Sequence, residues 1–287
     1  MTRTLTTTPA AHRHSPFAWG MRTYIMGIVN LSPDSFSSDG LHSAESAVAQ
    51  AKYMATEGAD IIDVGGESTH PGATPISAAE EIERIVPVIT RLNRDLEVPI
   101  SVDTYKYAVA QAAIAAGADI LNDVRGLKDN TQLANLAAEH GLSIIVTANE
   151  RGKPLIGDIM AEITSDLSRA TQCCREAGVP LENIIVDPGL GFGKTSAQDL
   201  EIIRRLGKLK ILGCPILLGP SRKSFIGHTL GLPENERLEG TAAAVALGIA
   251  HGADIFRVHD VKEMVRVARL CDAVVREQPQ HDAPPAL

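Results

Sequence analysis

Apolar residues along this chain follow two alternating patterns. Short runs rich in β-branched residues fall near 24–30 (YIMGIVN), 60–66, 98–103 (VPISVD), 119–124, 143–148 (SIIVTA), 183–187 (NIIVD), 214–219 (CPILLG) and 254–259. Continuous apolar runs of this length describe strands covered on both faces, as in a parallel sheet. Between them, a helical apolar spacing predicts helices near 43–57, 78–94, 105–116, 130–140, 158–177, 196–207, 239–251 and 260–276. The passage from helix to strand is spelled Gly-Ala-Asp three times, from Gly58, Gly117 and Gly252. Glycine suits the left-handed residue that closes a helix, and the apolar run after it suits a buried strand.

Eight strands alternating with eight helices predict an α/β chain closed as a (β/α)8 TIM barrel in a single domain, in preference to an open doubly wound sheet. The G-x-G-x-x-G turn that would favour the open sheet is missing after the first strand, where the polar loop NLSPDSFSSDG stands instead. The barrel is expected over 21–276, between a Thr-rich tail at 1–20 and a Pro-rich tail at 277–287.

Composition narrows the partners. A net charge of -8 and 3% aromatic residues leave neither the clustered basic face nor the stacking rings of a nucleic-acid binder, so no nucleic acid is expected. The opening lacks the apolar core of a secretory signal, and the longest apolar stretch, TAAAVALGIA, is too short to cross a bilayer. No membrane partner and a cytoplasmic location are therefore expected. Cys173, Cys174, Cys214 and Cys271 show no C-x-x-C spacing and read as free thiols in a reducing compartment.

In such a barrel the carboxyl ends of all strands converge on one mouth. The residues placed there are Asn30, Asp63, Asp103, Asn122, Asp187, Arg257 and His259, with Lys223 just past the seventh strand. Any one of them could be a turn or cap residue; together they predict a polar cluster. Arg257 and His259, two apart, point to the same face, and a buried arginine demands an anion. Asp103, Asn122 and Asp187 suit a flat heterocycle edged with donors and acceptors, over whose face Arg257 can lie. Asn30, Arg257 and His259 suit a phosphate or pyrophosphate, with Mg2+ bridging its oxygens to Asn30. Lys223 and Ser224 open a helix whose N-terminus suits a second anion such as a carboxylate, and Phe192 offers an apolar wall. The glycines of DPGLGFGKT do not meet the phosphate-loop spacing of nucleotide hydrolases.

Six segments in order, MGIVNLSPDSFSSDG, IIDVGGESTHPGA, ISVDTYKYAVAQAAIAAGADILNDV, IIVDPGLGFGKT, SRKSFIG and RVHDV, resemble dihydropteroate synthase from about residue 20 to 276. The resemblance implies a transferase of folate biosynthesis that joins 6-hydroxymethyl-7,8-dihydropterin pyrophosphate to p-aminobenzoate, giving 7,8-dihydropteroate and pyrophosphate with Mg2+. It implies that Asp103, Asn122, Asp187 and Lys223, with Arg257, hold the pterin. Asn30, Arg257 and His259 then form the pyrophosphate end, with the metal at Asn30. Phe36, beside Asp34 and Ser35, then Ser68, Thr69 and Pro71, close over p-aminobenzoate beside Phe192 and Ser224. Abundant charge-handling groups and the lack of a nucleophile–base pair favour an SN1-like displacement.

Two places depart from the family. His70 stands where an arginine is usual, and TANERGKP at 147–154 replaces a Met-His-Met-x-Gly run, adding Glu150, Arg151 and Lys153. These changes carry the expectation that the p-aminobenzoate end discriminates against sulfonamides. The competing readings are a pterin-dependent methyltransferase, which would need a corrinoid partner, and a pterin-binding protein without catalysis. A homodimer is expected through Ala-rich faces near 105–116 or 241–250.

Overall fold

The computed structural model describes residues 17–32, 43–68, 73–128, 131–152 and 157–276. Eight strands, β1 (Tyr24–Asn30), β2 (Ile61–Gly65), β3 (Ile100–Asp103), β4 (Ile120–Asp123), β5 (Ser143–Thr147), β6 (Ile184–Asp187), β7 (Leu217–Leu218) and β8 (Ile255–Val258), pair in parallel in the order β6-β5-β4-β3-β2-β1-β8-β7. An isolated parallel bridge between Val186 and Ile216 joins the two ends, with Val186 N donating to Pro215 O at 3.0 Å. The expected (β/α)8 barrel is what forms. Strand β7 keeps only two residues of the run from Cys214 to Gly219. Pro215 and Pro220 bracket it, and neither has an N–H to give the ladder.

The helices are α1 (Ala44–Thr56), α2 (Ala78–Asp95), α3 (Tyr107–Ala116), α4 (Gln132–His140), α5 (Ile159–Ala177), α6 (Ser196–Arg205), α7 (Ser224–Leu230), α8 (Leu238–Ala250) and α9 (Val261–Val275). Among the described residues there are nine where the spacing predicts eight. The addition is α7, whose seven residues are too few for a helical repeat to show in sequence. Each Gly-Ala-Asp junction turns through a glycine with φ between 94° and 107°. Its aspartate then ties the neighbouring strand: Asp60 Oδ2 accepts from Ile25 N at 2.8 Å, Asp119 Oδ2 from Ile100 N at 3.0 Å, and Asp254 Oδ2 from Ile216 N at 3.0 Å.

Alternation along the strands divides the core. One face turns outward to the helices through residues such as Ile62, Val64, Val102 and Val146. The other fills the barrel's lower interior with Tyr24, Met26, Ile61, Ile120, Ile145, Ile185, Leu217 and Ile255. Phe17 and Trp19 pack beneath this floor, their rings stacked at 4.8 Å and both edge-on to Tyr24, and Trp19 Nε1 donates to Glu182 O at 3.0 Å. Residues 17–20, expected to belong to a tail, are thus part of the folded barrel, because an aromatic pair gains by covering an apolar ring end. The rest of that tail, 1–16, and the tail at 277–287 lie outside the described residues. Trp19→Ala is expected to lower stability by about 2 kcal/mol, measured by urea unfolding, with kcat unchanged.

Candidate active site

One step above the apolar floor, the same inward-facing positions turn polar. Arg257, on β8, spans the barrel: its Nε donates to Asp63 Oδ2 at 2.7 Å and its Nη2 to Asp103 Oδ2 at 3.1 Å. Asn122 Nδ2 reaches both oxygens of Asp63 at 3.3 Å, so the fully buried Asp63 orients the amide from β4 and the guanidinium from β8 together. One guanidinium shared between two buried carboxyls does not satisfy both. Burial therefore raises the pKa of the Asp103 carboxyl well above the usual range despite Arg257, and Asp63 adds to the rise.

Asp187 ends β6, and its Oδ1 accepts from Gly189 N at 2.7 Å. Its pKa is raised by burial, against the opposing pull of Lys223. Lys223 follows Arg222, a non-glycine residue at φ 57°. This costly left-handed turn is held from three sides. Arg222 grips Asp260 through Nε at 3.1 Å and Nη2 at 2.6 Å, its N donates to Thr241 Oγ1 at 3.1 Å, and its carbonyl accepts from Arg237 Nη1 at 2.8 Å. The turn sends Lys223 inward, where Nζ donates to Leu190 O and lies 4.7 Å from the centre of the Phe192 ring. Burial lowers the lysine's pKa to about 8, with Asp187 and Asp199 opposing.

His259 Nδ1 stands 2.9 Å from Ser221 Oγ, which also accepts from His259 N at 3.2 Å. Burial, then Arg222, Arg257 and Lys223, lower its pKa to about 3. The sequence presents Arg257 and His259 as two basic groups side by side; in the structure the arginine carries the charge and the neutral imidazole serves as a hydrogen-bonding group.

Asn30, Ser68, Asp103, Phe192, Lys223, Ser224, Arg257 and His259 all line one cavity of about 160 Å3. Asn122 and Asp187 are buried and do not line it: Asn122 connects to the lining residue Arg257 through Asp63, and Asp187 holds Gly189, next in sequence to the lining residue Leu190. Phe36, Thr69 and Pro71, with Asp34, Ser35 and His70, lie outside the described residues. Among the described residues no three His, Cys, Asp or Glu side chains come together as a metal cage. Asn30 offers an amide oxygen at the cavity, a donor set that suits a hard cation carried mostly by phosphate oxygens and water.

Several contributors are not visible as chemistry in the sequence. Lys106 Nζ donates to Glu67 Oε2 at 2.7 Å, Glu81 Oε2 at 2.6 Å and Ile76 O at 2.8 Å, while Ile76 N donates to Glu67 Oε2 at 2.9 Å. This half-buried knot fixes Glu67 in the cavity wall. Lys194 does the same for the two loops that follow β5 and β6. Its Nζ donates to Ala148 O at 2.7 Å, Gly189 O at 2.9 Å and Phe192 O at 3.3 Å. Glu150 N also donates to Phe192 O at 3.0 Å. Asp63 stands among the strand-end residues that the sequence marks; the lysines do not, since their partners are backbone carbonyls and distant loop residues.

A model of the pterin binding enzyme family matches residues 26–259. The dihydropteroate synthase of Bacillus subtilis is 47% identical over 268 residues, covering 93% of this chain and 94% of that one. The crystal structure of dihydropteroate synthase from Clostridium difficile, solved in the presence of pteroic acid, superposes with a TM-score of 0.86 at 45% identity, over 91% of this chain and all of that one. The Xanthomonas albilineans enzyme, solved with 4-aminobenzoic acid, gives a TM-score of 0.84 at 39% identity, over 90% and 94% of the two chains. With the barrel and its polar mouth already in place, these likenesses establish that the chain belongs to the pterin binding enzyme family, among its dihydropteroate synthases.

Proposed function

We propose that the cavity joins 6-hydroxymethyl-7,8-dihydropterin pyrophosphate to p-aminobenzoate, the carbon–oxygen bond to pyrophosphate breaking before the carbon–nitrogen bond forms. The observation that carries this reading is the position of Arg257. It touches the buried carboxyls that suit a heterocycle's edge and lines the same cavity as Asn30 and His259, which suit a diphosphate. Asp103, Asn122 and Asp187 pair with the pterin's donors and acceptors, Lys223 borders the ring, and Arg257 covers its face. Asn30, Arg257 and His259 stabilise the charge that leaves with pyrophosphate. Bound at Asn30, a divalent cation, Mg2+, would supply further neutralisation of those departing oxygens. Phe192, Ser224 and Ser68 receive the aryl amine, with the loop residues Phe36, Thr69 and Pro71 assigned to the same task.

Dissociation comes first in this scheme. The amine nitrogen is neutral near pH 7 and can attack a cationic pterin carbon without a general base, and the proton it then sheds passes to the departing pyrophosphate or to water. Discrimination against sulfonamides belongs to the same reading, supported by Arg151 standing in the cavity wall. A homodimer is supported by an apolar groove between α6, α7 and α8, where Leu230 and Leu247 are about half exposed. The α3 face considered beside it is spent inside, with Val109, Ala110, Ala113 and Ile114 buried.

Purified protein given both substrates and Mg2+ is expected to release one pyrophosphate per dihydropteroate formed, to slow when Mg2+ is withheld, and to turn over in sulfonamide concentrations that stop a sensitive relative. A covalent pterin adduct on any side chain would contradict the dissociative scheme. Pterin binding without pyrophosphate release would support the non-catalytic reading, and methyl transfer to a corrinoid the other.

A further inference from the structure

The loop after β5 contributes one side chain whose placement the strand-end pattern does not anticipate. Asn149 Oδ1 accepts from Arg151 N at 3.1 Å, which turns the chain at this point. The loop after β6 lies directly against it. A β-carbon on Gly193, at φ 76°, would come within 2.4 Å of Glu150 C and Arg151 N. One on Gly189, at φ 68°, would come within 2.2 Å of Ala148 O. Two glycines, the bonds from Lys194 and the Glu150–Phe192 backbone bond therefore zip the loops together. The result is a fixed pairing of Arg151 with Phe192, guanidinium carbon to ring centre 4.7 Å.

Lys223 Nζ lies at the same distance from that ring, 4.7 Å, and Arg151, Phe192, Lys223 and Ser224 border one cavity. Two cations from different loops thus lie 4.7 Å from the centre of one aromatic ring. Arg151 is exposed at the rim of this cavity, where partial desolvation and the like charge of Arg125 lower its pKa, so an anion seated there would relieve the repulsion.

From this geometry we infer that Arg151 is a specificity-determining residue which recognises the carboxylate of the aryl amine while Phe192 receives its ring. The inference rests on the function proposed above and adds an acid-selecting contact to it. A guanidinium fork suits a planar carboxylate, which takes two parallel N–H bonds, and suits a neutral amide or ester of the same size poorly.

The test compares wild type with Arg151→Gln and Arg151→Lys, using p-aminobenzoate and the neutral 4-aminobenzamide. Arg151→Gln is expected to raise KM for p-aminobenzoate about tenfold, with KM for the pterin substrate and kcat within about twofold of wild type. The preference for acid over amide should fall by a similar factor, and Arg151→Lys should recover part of it. Unchanged acid-to-amide preference in Arg151→Gln, or equal rises in both KM values, overturns the inference. A wild-type protein that turns over neither amine contradicts the proposed reaction instead; the acid-to-amide ratio is then read by calorimetric binding in the presence of pyrophosphate, and an equal ratio in wild type and variant again overturns the role of Arg151.

Discussion

Arg257→Ala is expected to lower kcat/KM by about 10^3-fold, read as pyrophosphate release, and to cost about 3–5 kcal/mol of stability. Both losses have one origin. The guanidinium bonds Asp63 and Asp103, and the same residue lines the cavity with Asn30 and His259, the residues proposed to receive the diphosphate. Without it, two buried carboxyls lose the cation they share, and Asn122 still donates to Asp63 alone of the pair. The sign of the pH dependence follows. Asp103 already sits above its unfolded value, so the fold holds a proton that the unfolded chain gives up. Stability falls as pH rises from roughly 4, where an unfolded aspartate ionises, toward the raised folded value. Removing Arg257 takes away the charge that opposes this rise, so the deficit in melting temperature should widen from pH 5 to pH 8. Arg257→Lys should recover much of the stability and little of the rate, because a point charge replaces a fork that serves two carboxyls. An equal deficit at both pH values would contradict this account.

The second large effect is expected at Lys194→Met, a substitution of similar length. It removes the shared donor of Ala148 O, Gly189 O and Phe192 O and should cost about 3 kcal/mol, since three inward carbonyls lose a charged partner. KM for p-aminobenzoate should rise about tenfold, and KM for the pterin substrate should change little, because the bonds of Asp103 and Asn122 are made without Lys194. Burial lowers the lysine's pKa to about 8, and Glu150 opposes it. Between pH 8 and the unfolded value of roughly 10.4, the unfolded chain binds more protons than the fold, so wild type gains stability as pH rises through that window. Lys223, similarly lowered, shares in that gain, so Lys194→Met should flatten the slope of stability against pH without abolishing it. Denaturant midpoints from pH 7.5 to 10 check the point.

Strand β1 matches the run YIMGIVN residue for residue, because a strand buried on both sides writes its whole length in apolar letters. Strand β7 shrinks and α7 appears, since prolines and a seven-residue helix leave no period to detect. At the mouth, the rule that strand ends converge placed Asn30, Asp103, Lys223, Arg257 and His259 on one cavity. It did not reveal that Asp63 would serve as anchor to Arg257 and Asn122, nor the neutrality of His259, because both depend on which neighbours burial forces together. Lys106, Lys194 and Arg151 were harder still. A lysine that binds three carbonyls looks in sequence like any surface lysine, and an arginine on a loop reveals its ring only after two loops have met.

The hoop of strands is fastened unevenly. Seven of its seams are continuous ladders, whereas β6 and β7 meet through a lone bridge between Val186 and Ile216, a clasp where the others are stitched. Fluctuations that loosen the wall cost least at that clasp. The segments after its two strands bear Phe192 on one side and Lys223 with Ser224 on the other, so a loosening at the clasp would reach these three before Asp103 and Asn122, which stand on strands laced along their length.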